Sequence, residues 1–312
     1  MSELIAFDHV TKTYASGDAV QDLNLKVHTG ELFVLVGESG SGKTTTLKMI
    51  NRLIEPTTGS IQFKGQDITT YPLRELRWQI GYVLQQIALF PNMTVGQNIA
   101  LIPELRHMPK SQVTKRVDEL LDSVGLPPAQ YRNRLPKALS GGEQQRVGIL
   151  RAFANKPPVV LMDEPFSALD PLSRNQLQEL VIDLHQRLNM TIVFVTHDMN
   201  EAIRLGDRIA VMRDGQVVQC DTPQAIAKNP ATEWVADFFA GTKAILMETP
   251  IHKLQSFATP AVASVSKLTS PDTLLKTIMP AIAKGEKVTF QTDSGKFKLD
   301  AQAVLNFLAA NA

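Results

Sequence analysis

A largely parallel α/β sheet is the fold class that this 312-residue sequence predicts. Short apolar runs rich in Val, Ile and Leu alternate along the chain with stretches whose apolar residues recur every three or four positions. Nearly continuous apolar runs are typical of strands that helices cover on both faces, and their alternation with helices is typical of parallel sheets. The composition, 44% hydrophobic and 20% charged, supplies apolar material for a large core.

Six apolar runs are the predicted strands: Ile5–Val10, Leu32–Val36, Ile80–Leu84, Val159–Met162, Thr191–Val195 and Ile209–Met212. Four helix-like stretches lie between them: Thr44–Asn51, Lys115–Ser123, Gly142–Ala154 and Ser173–Leu188. The segment from Ala88 to Arg134 holds five prolines and lacks a strand-like run. We therefore expect a helical subdomain over about residues 88–158, inside a main domain that spans residues 1–241.

A change of composition toward Ala, Thr, Ser and Lys marks a second, smaller domain at residues 242–312. A short strand-helix pattern from Ala261 to Met279, followed by a further strand at Val288–Phe290, predicts an α+β appendage.

Charge and cysteine content exclude several functional classes. The 32 basic and 31 acidic side chains give a net charge of +1, so we expect no nucleic-acid partner. The single cysteine, Cys220, cannot form an intrachain disulfide, which fits a reducing compartment. No apolar run reaches the ~20 residues that cross a bilayer, and the first ten residues carry charges. A cytosolic chain is the expectation.

The strongest motif follows the run Leu32–Val36 and opens a helix-like stretch. It matches G-x-x-x-x-G-K-[ST], the phosphate-binding P-loop, over Gly37, Glu38, Ser39, Gly40, Ser41, Gly42, Lys43 and Thr44. Glycines let backbone N–H groups turn toward phosphate oxygens, and the helix N-terminus adds its positive dipole end. Lys43 is the predicted cation for the β and γ phosphates, and the Thr44 hydroxyl is a predicted ligand of Mg²⁺.

Two further motifs carry chemistry. The run Val159–Met162 ends in Asp163 and Glu164, at the strand edge where parallel sheets bind ligands. Asp163 is a predicted ligand of Mg²⁺, directly or through water, and Glu164 is predicted to orient or deprotonate an attacking water. Ser140, Gly141 and Gly142 head an apparent helix and form a second potential phosphate cradle, although a Ser-Gly-Gly cap is structural in most proteins.

Taken together with Thr196, His197 and Asp198, these motifs resemble the nucleotide-binding subunit of an ABC transporter over about residues 3–241. The resemblance implies a P-loop ABC cassette with a parallel core sheet, an N-terminal antiparallel β part and a helical subdomain. It implies ATP and Mg²⁺ as cofactors and the activity of an ATP hydrolase of the translocase class.

The resemblance also implies roles for single residues. Tyr14 is similar to the aromatic residue that stacks on adenine, and Thr45 continues the phosphate-binding turn. Gln85 resembles the glutamine that senses Mg²⁺ and links to the membrane subunit, although the adjacent Gln86 leaves the register open. His197 resembles the switch histidine, which would contact the γ phosphate and help Glu164 hold water. Ser167 to Asp170 resemble the D-loop, with Asp170 near the nucleotide.

In this family the signature at Ser140 of one subunit closes over the P-loop of another. The implied partners are a second copy of the chain, transmembrane permease subunits and an extracellular or periplasmic solute-binding protein or domain. The implied location is the cytoplasmic face of the membrane. The segment Gln85–Val95 presents apolar groups that would suit a groove for a permease helix, or these groups pack within the insertion itself.

Two strings, Lys48–Thr57 and Leu84–Ile87, look most like importer ATPases for glycine betaine, carnitine and choline. Many of these proteins continue into paired CBS modules, and Thr259–Ser266 looks like the opening of one such unit. A truncated module, a plain dimerisation appendage, a membrane contact and a solvated surface all stay open for the tail.

Three other interpretations remain open from the sequence, and a fourth conflicts with it. The chain could serve an importer of another small solute such as an amino acid, or an exporter. It could be a soluble ABC ATPase of DNA repair or translation, although the long coiled coils or fused second cassette typical of those proteins are missing. A regulator that binds nucleotide without hydrolysing it conflicts with the joint presence of Lys43, Asp163, Glu164 and His197.

Overall fold

The computed structural model describes residues 2–167, 169–239, 251, 254–255, 258–260, 269–292 and 295–304. The chain divides into two compact units, residues 1–222 and 223–312. The sequence-based boundary near Thr242 falls among residues outside the described ones, and it stays a prediction.

The first unit is built on a six-stranded sheet with the order β10-β9-β3-β8-β7-β6. Its strands are β3 (Leu32–Gly37), β6 (Ile80–Val83), β7 (Val159–Asp163), β8 (Thr191–Thr196), β9 (Arg208–Arg213) and β10 (Gln216–Asp221). All neighbours are parallel except β9 and β10. Every residue of β3, β7 and β8 is buried, as the continuous apolar runs predict. The predicted parallel core sheet is confirmed.

A second, antiparallel sheet with the order β2-β1-β4-β5 covers one face of the first. Its strands are β1 (Glu3–Tyr14), β2 (Gly17–His28), β4 (Thr58–Phe63) and β5 (Gln66–Asp67). Apolar side chains of both sheets and of the first helix form one buried cluster that includes Phe7, Phe33, Leu47, Phe63 and Val193. The first predicted strand, Ile5–Val10, therefore belongs to this antiparallel sheet and not to the parallel one. The antiparallel N-terminal part that the resemblance implies is confirmed.

Eight helices are described in the first unit: α1 (Lys43–Ile50), α2 (Leu73–Trp78), α3 (Val95–Leu105), α4 (Lys110–Ser123), α5 (Pro128–Tyr131), α6 (Gly141–Phe153), α7 (Pro171–Leu188) and α8 (Met199–Leu205). Residues 84–158 are described throughout and contain no strand, and α3, α4 and α6 pack on one another there. Capping boxes at Thr94 and Ser140 fix the starts of α3 and α6. Among the described helices, none has the length and apolar character needed to cross a membrane.

The second unit contains short helices and a small sheet. Residues 233–239 are helical, and the helix Leu275–Ala283 packs on a three-stranded antiparallel sheet of Thr259–Pro260, Gly295–Leu299 and Val288–Thr292. Its apolar core includes Leu275, Ile278 and Phe290. The predicted strand at Val288–Phe290 and the α+β character are confirmed. Residues 261–268, which carry most of the proposed CBS opening, lie outside the described part of the chain.

Candidate nucleotide site

The P-loop lies between β3 and α1, at the carboxyl edge of the parallel sheet. Gly42 has φ +97°, and a Cβ atom added there would lie 2.3 Å from the Ala19 carbonyl oxygen. Only glycine therefore fits this position. No side chain caps α1, so the N–H groups of its first turn, which includes Thr44 and Thr45, stay available to an anion. Ser39 and Gly40 are exposed at the tip of the loop.

The Lys43 side chain folds back into the P-loop. Its Nζ donates hydrogen bonds to the carbonyl oxygens of Gly37 (2.8 Å) and Glu38 (2.7 Å) and to the Ser41 hydroxyl (3.3 Å). Burial lowers the pKa of Lys43, and the nearby Glu164 carboxylate acts in the opposite direction. The loop thus holds one partly desolvated cation where phosphate oxygens would lie.

Asp163 ends β7 beside the P-loop. The Thr44 hydroxyl donates to Asp163 Oδ1 at 2.8 Å, and the Tyr82 hydroxyl donates to Asp163 Oδ2 at 3.5 Å. Asp163 is only 5% exposed. A hydroxyl and a carboxylate oxygen in contact are the hard ligands that Mg²⁺ takes alongside phosphate oxygens, so this pair fits the cation. Burial and the Asp163 charge raise the pKa of Tyr82, so its hydroxyl stays a proton donor.

Glu164 and His197 meet at the same edge of the sheet. His197 Nδ1 lies 3.0 Å from Glu164 Oε2, and both side chains follow central strands, β7 and β8. Glu164 has φ +43°, a left-handed conformation that costs a non-glycine residue about 1–3 kcal/mol. Its N–H donates to the Val195 carbonyl oxygen (3.0 Å), and its own carbonyl oxygen accepts from Ser167. These bonds turn the carboxylate out of the strand toward the edge.

The other predicted residues lie farther from this centre. Gln85 is exposed in the loop after β6, and the described residues include no hydrogen bond from it to Thr44 or Asp163. Tyr14 ends β1 with 42% of its surface exposed, and Lys12 Nζ lies 5.1 Å from the centre of its ring. Asp170 caps α7, since its Oδ1 accepts from the Ser173 N–H at 3.0 Å. Ala168, within the predicted D-loop, is outside the described residues.

The signature segment forms the exposed start of α6. The Ser140 hydroxyl accepts from the Glu143 N–H at 3.3 Å, and Glu143 Oε2 accepts from the Ser140 N–H at 2.7 Å. Ser140 and Gly141 are exposed, and Gly142 is partly so. A second hydrogen bond, from Tyr131, holds the Glu143 carboxylate and lowers its pKa. The cap is therefore rigid and open to solvent.

Two residues near the site were not predicted. Tyr82 is the lone hydroxyl in the apolar strand β6, three positions before Gln85. Glu201 is a buried carboxylate on α8, and its Oε2 accepts a hydrogen bond from the Thr196 hydroxyl at 2.6 Å. Thr196 is the residue directly before His197. A polar group in an apolar strand was the available signal for Tyr82. Glu201 follows Thr196 by five positions, and only the fold of the intervening turn brings their side chains together.

The fold and the glycine-rich loop define a P-loop nucleotide-binding protein. The family model described as ABC transporter matches residues 20–167. The choline transport ATP-binding protein OpuBA of Bacillus subtilis is 50% identical over 248 residues, which cover 79% of this chain and 65% of that protein. The glycine betaine/carnitine/choline transport ATP-binding protein OpuCA of Bacillus subtilis is 47% identical over 86% of this chain and 71% of that protein.

Solved structures agree with this assignment. The ATP-binding cassette MJ0796, described as dimeric in a post-hydrolysis state with ADP and phosphate, superposes with a TM-score of 0.63 at 36% identity, covering 70% of this chain and 98% of that one. For cbiO1 of Clostridium perfringens, described as part of the complex cbiONQ, the TM-score is 0.68 at 25% identity, with coverages of 78% and 98%. The chain belongs to the ATP-binding proteins of the ABC transporter family.

Proposed function

We propose that the chain is the ATP-hydrolysing subunit of an importer for a quaternary-amine compatible solute such as glycine betaine, carnitine or choline. The observation that carries the hydrolytic part is the convergence of Lys43, Asp163, Glu164 and His197 at one edge of the parallel sheet. The solute class rests on the names of the similar proteins from Bacillus subtilis.

The P-loop residues bind the triphosphate in this proposal. Backbone N–H groups from Gly37 to Thr45, with Ser39, Gly40, Ser41 and Gly42 between them, surround the phosphate oxygens. Lys43 exchanges its hydrogen bonds to loop carbonyl oxygens for hydrogen bonds to the β and γ phosphates. The exchange favours nucleotide binding, because the partly buried ammonium then contacts a full negative charge. The exposed ring of Tyr14 offers a stacking surface for adenine.

Thr44 and Asp163 would hold Mg²⁺, with Gln85 joining from the loop after β6. When bound, the cation neutralises charge on the phosphate oxygens. Glu164 orients the attacking water and accepts its proton, since its carboxylate is partly exposed at the sheet edge. His197, 3.0 Å away, donates toward the γ phosphate and holds Glu164 in place.

A homodimer completes the site in the proposal. The start of α6 presents the N–H groups of Gly141 and Gly142 together with the exposed Ser140 side chain, so a second copy's P-loop has access to them. Asp170 would lie near the nucleotide at the same interface. The similar cassette MJ0796, whose structure is described as dimeric, supports this arrangement.

A permease subunit is the proposed partner of an apolar groove of about 470 Å³ beside β6. The groove is lined by residues that include Tyr82, Leu84, Phe90, Leu101 and Ile102. Leu84 and Phe90 are 40% and 48% exposed, and burying them against an amphipathic helix would stabilise a complex. The chain would then lie at the cytoplasmic face of the membrane, and a solute-binding protein or domain would deliver the solute on the other side.

Two measurements test the proposal. Phosphate release from MgATP should occur with the unaltered chain and fall at least about a hundredfold in Glu164→Gln, because the group that activates water is lost. Undiminished release would remove Glu164 from this role.

In cells that lack the chain, the unaltered protein should restore uptake of a quaternary amine and Glu164→Gln should not. Restored uptake of an amino acid alone would contradict the solute class.

A further inference from the structure

The Tyr82 side chain reaches from the groove beside β6 to the nucleotide site. Its ring lines the groove, while its hydroxyl donates to Asp163 Oδ2 at 3.5 Å. The register of β6 against β7 explains why the Tyr82 hydroxyl contacts Asp163. Tyr82 pairs with Leu161 on β7, and Asp163 lies two residues farther along on the same face.

The two oxygens of Asp163 are held from different elements. Oδ1 accepts from Thr44 on α1, and Oδ2 accepts from Tyr82 on β6. In the proposed function the Thr44 hydroxyl turns its oxygen to the cation. The hydrogen bond from Tyr82 then remains to orient the carboxylate, because it is made to the other oxygen, Oδ2.

The surroundings of Tyr82 favour this bond. The ring packs against the apolar cluster of the two sheets, and the side chain is partly buried. A hydroxyl in such surroundings loses water on folding and needs a protein acceptor. Asp163 Oδ2 is the acceptor that the described residues supply.

We propose that Tyr82 is a positioning residue for the metal-binding carboxylate: its hydroxyl fixes the orientation of Asp163 toward the cation of the nucleotide complex. This inference rests on the proposed function, in which Asp163 and Thr44 hold Mg²⁺. Partners that orient a metal ligand typically contribute tenfold to a hundredfold in metal affinity. At 3.5 Å the Tyr82 bond is long, so an effect of about tenfold is expected.

The test is a Mn²⁺ titration of the full chain with the non-hydrolysable analogue AMP-PNP, with free Mn²⁺ measured by its EPR signal. The same titration without protein gives the affinity of the nucleotide alone. Tyr82→Phe removes only the hydroxyl and should weaken Mn²⁺ binding about tenfold. Binding of AMP-PNP in EDTA should change less than about twofold, since the P-loop is untouched. The Mg²⁺ concentration for half-maximal phosphate release should rise in parallel.

Tyr71→Phe is the matched control. Its partly buried hydroxyl donates to the Phe63 carbonyl oxygen at 3.0 Å, away from the nucleotide site. Comparable thermal midpoints for the two variants would show that both fold. Equal Mn²⁺ affinity in Tyr82→Phe and the unaltered chain, or an equal loss in Tyr71→Phe, would overturn the inference. Failure of the unaltered chain to bind AMP-PNP in EDTA would instead contradict the proposed function.

Discussion

His197 and Glu164 form an exposed imidazole-carboxylate pair, and the chain contains a second such pair in His9 and Asp22. The first has 3.0 Å between its nearest atoms and the second 2.7 Å. The imidazole is exposed in both pairs, but Glu164 is only 20% exposed against 70% for Asp22, and only the first pair lies at the P-loop edge of the sheet. Hydrolysis should therefore depend on one pair and not on the other.

His197→Ala should lower kcat for phosphate release about a hundredfold while KM for MgATP changes less than about threefold, because the lost bond forms with charge in the transition state. Steady-state kinetics on purified protein measure both constants. His9→Ala removes another exposed imidazole that is paired with a carboxylate, and it should leave both constants unchanged. A similar loss in the two variants, or an unchanged kcat in the first, would argue against the role of His197.

At the scale of residues, spacing was sufficient for some predictions and not for others. The motif around Lys43 and Thr44 fixes its own geometry, because the glycines and the helix start are adjacent in sequence. The approach of Asp163 to Thr44 also follows from the ends of β3 and β7 at the same edge of the sheet, on either side of β8. Tyr82 could not be predicted in this way, because its bond depends on the register of β6 against β7.

At the scale of elements, Glu201 connects α8 with β8 and α7. The Thr196 hydroxyl donates to one carboxylate oxygen at 2.6 Å, and Gln178 Nε2 donates to the other at 3.3 Å. Glu201 is 7% exposed, and burial raises the pKa of its carboxyl group. The buried network fixes the strand end that carries His197.

Glu201→Ala should reduce the free energy of unfolding by about 1–3 kcal/mol, because two buried donors lose their acceptor. Urea unfolding followed by circular dichroism measures the change. Glu179→Ala on α7 is the control, since that side chain is 72% exposed and pairs only at the surface with Arg204. Its effect should stay within about 0.5 kcal/mol. Equal effects of the two substitutions would contradict the network.

The ion pair of His185 and Asp207 connects α7 with the start of β3 and predicts that stability depends on pH. His185 Nε2 lies 3.6 Å from Asp207 Oδ2, and Asp207 accepts from the Leu32 N–H. The nearby Asp207 carboxylate raises the pKa of His185, and His185 lowers the pKa of Asp207. The stabilisation from His185 is present below its unfolded pKa and is lost as pH rises through its raised value. The stabilisation from Asp207 is present above its unfolded pKa and is lost as pH falls through its lowered folded-state pKa.

Asp207→Asn should therefore destabilise the chain more at about pH 5.5 than at about pH 9, where the imidazole is neutral. The difference should stay below about 1 kcal/mol, because the Asp207 side chain is 57% exposed. Urea unfolding at both pH values measures it. A penalty that does not vary with pH would refute the charged pair.

Among the elements, the buried strands of the parallel sheet were the most predictable, because the interiors of β3, β7 and β8 are continuous apolar runs. The strand β2 was not predicted. It alternates buried apolar with exposed polar residues and becomes a strand through its long pairing with β1. β4 was missed because its partner β1 is distant in sequence, and β10 was missed because its half-buried residues form a strand only through the hairpin with β9.

At the scale of the whole molecule, the strand order β10-β9-β3-β8-β7-β6 could not be predicted from the sequence patterns. Parallel pairing follows from alternating helices and strands, but the choice of neighbours depends on contacts between distant segments. The helical subdomain followed from the interrupted strand pattern after Ala88, whereas the antiparallel sheet was implied only by the resemblance to ABC cassettes.

A chain shortened to residues 1–241 should keep its basal activity. The first compact unit ends at Thr222, so this shortened chain retains all of it. Phosphate release at saturating MgATP should stay within about twofold of that of the full chain, because every proposed catalytic residue lies in this unit. Loss of solubility or of hydrolysis would place the functional boundary beyond residue 241.

The central claim is that two copies of the chain enclose ATP between the P-loop of one and the Ser140 cap of the other. Light scattering with size-exclusion chromatography on Glu164→Gln tests it most directly, since bound ATP then persists. With ATP and Mg²⁺ the mass should rise from about 34.4 kDa to about twice that value, and with ADP it should fall back. A variant that binds ATP and stays at the monomer mass in both conditions would contradict the claim.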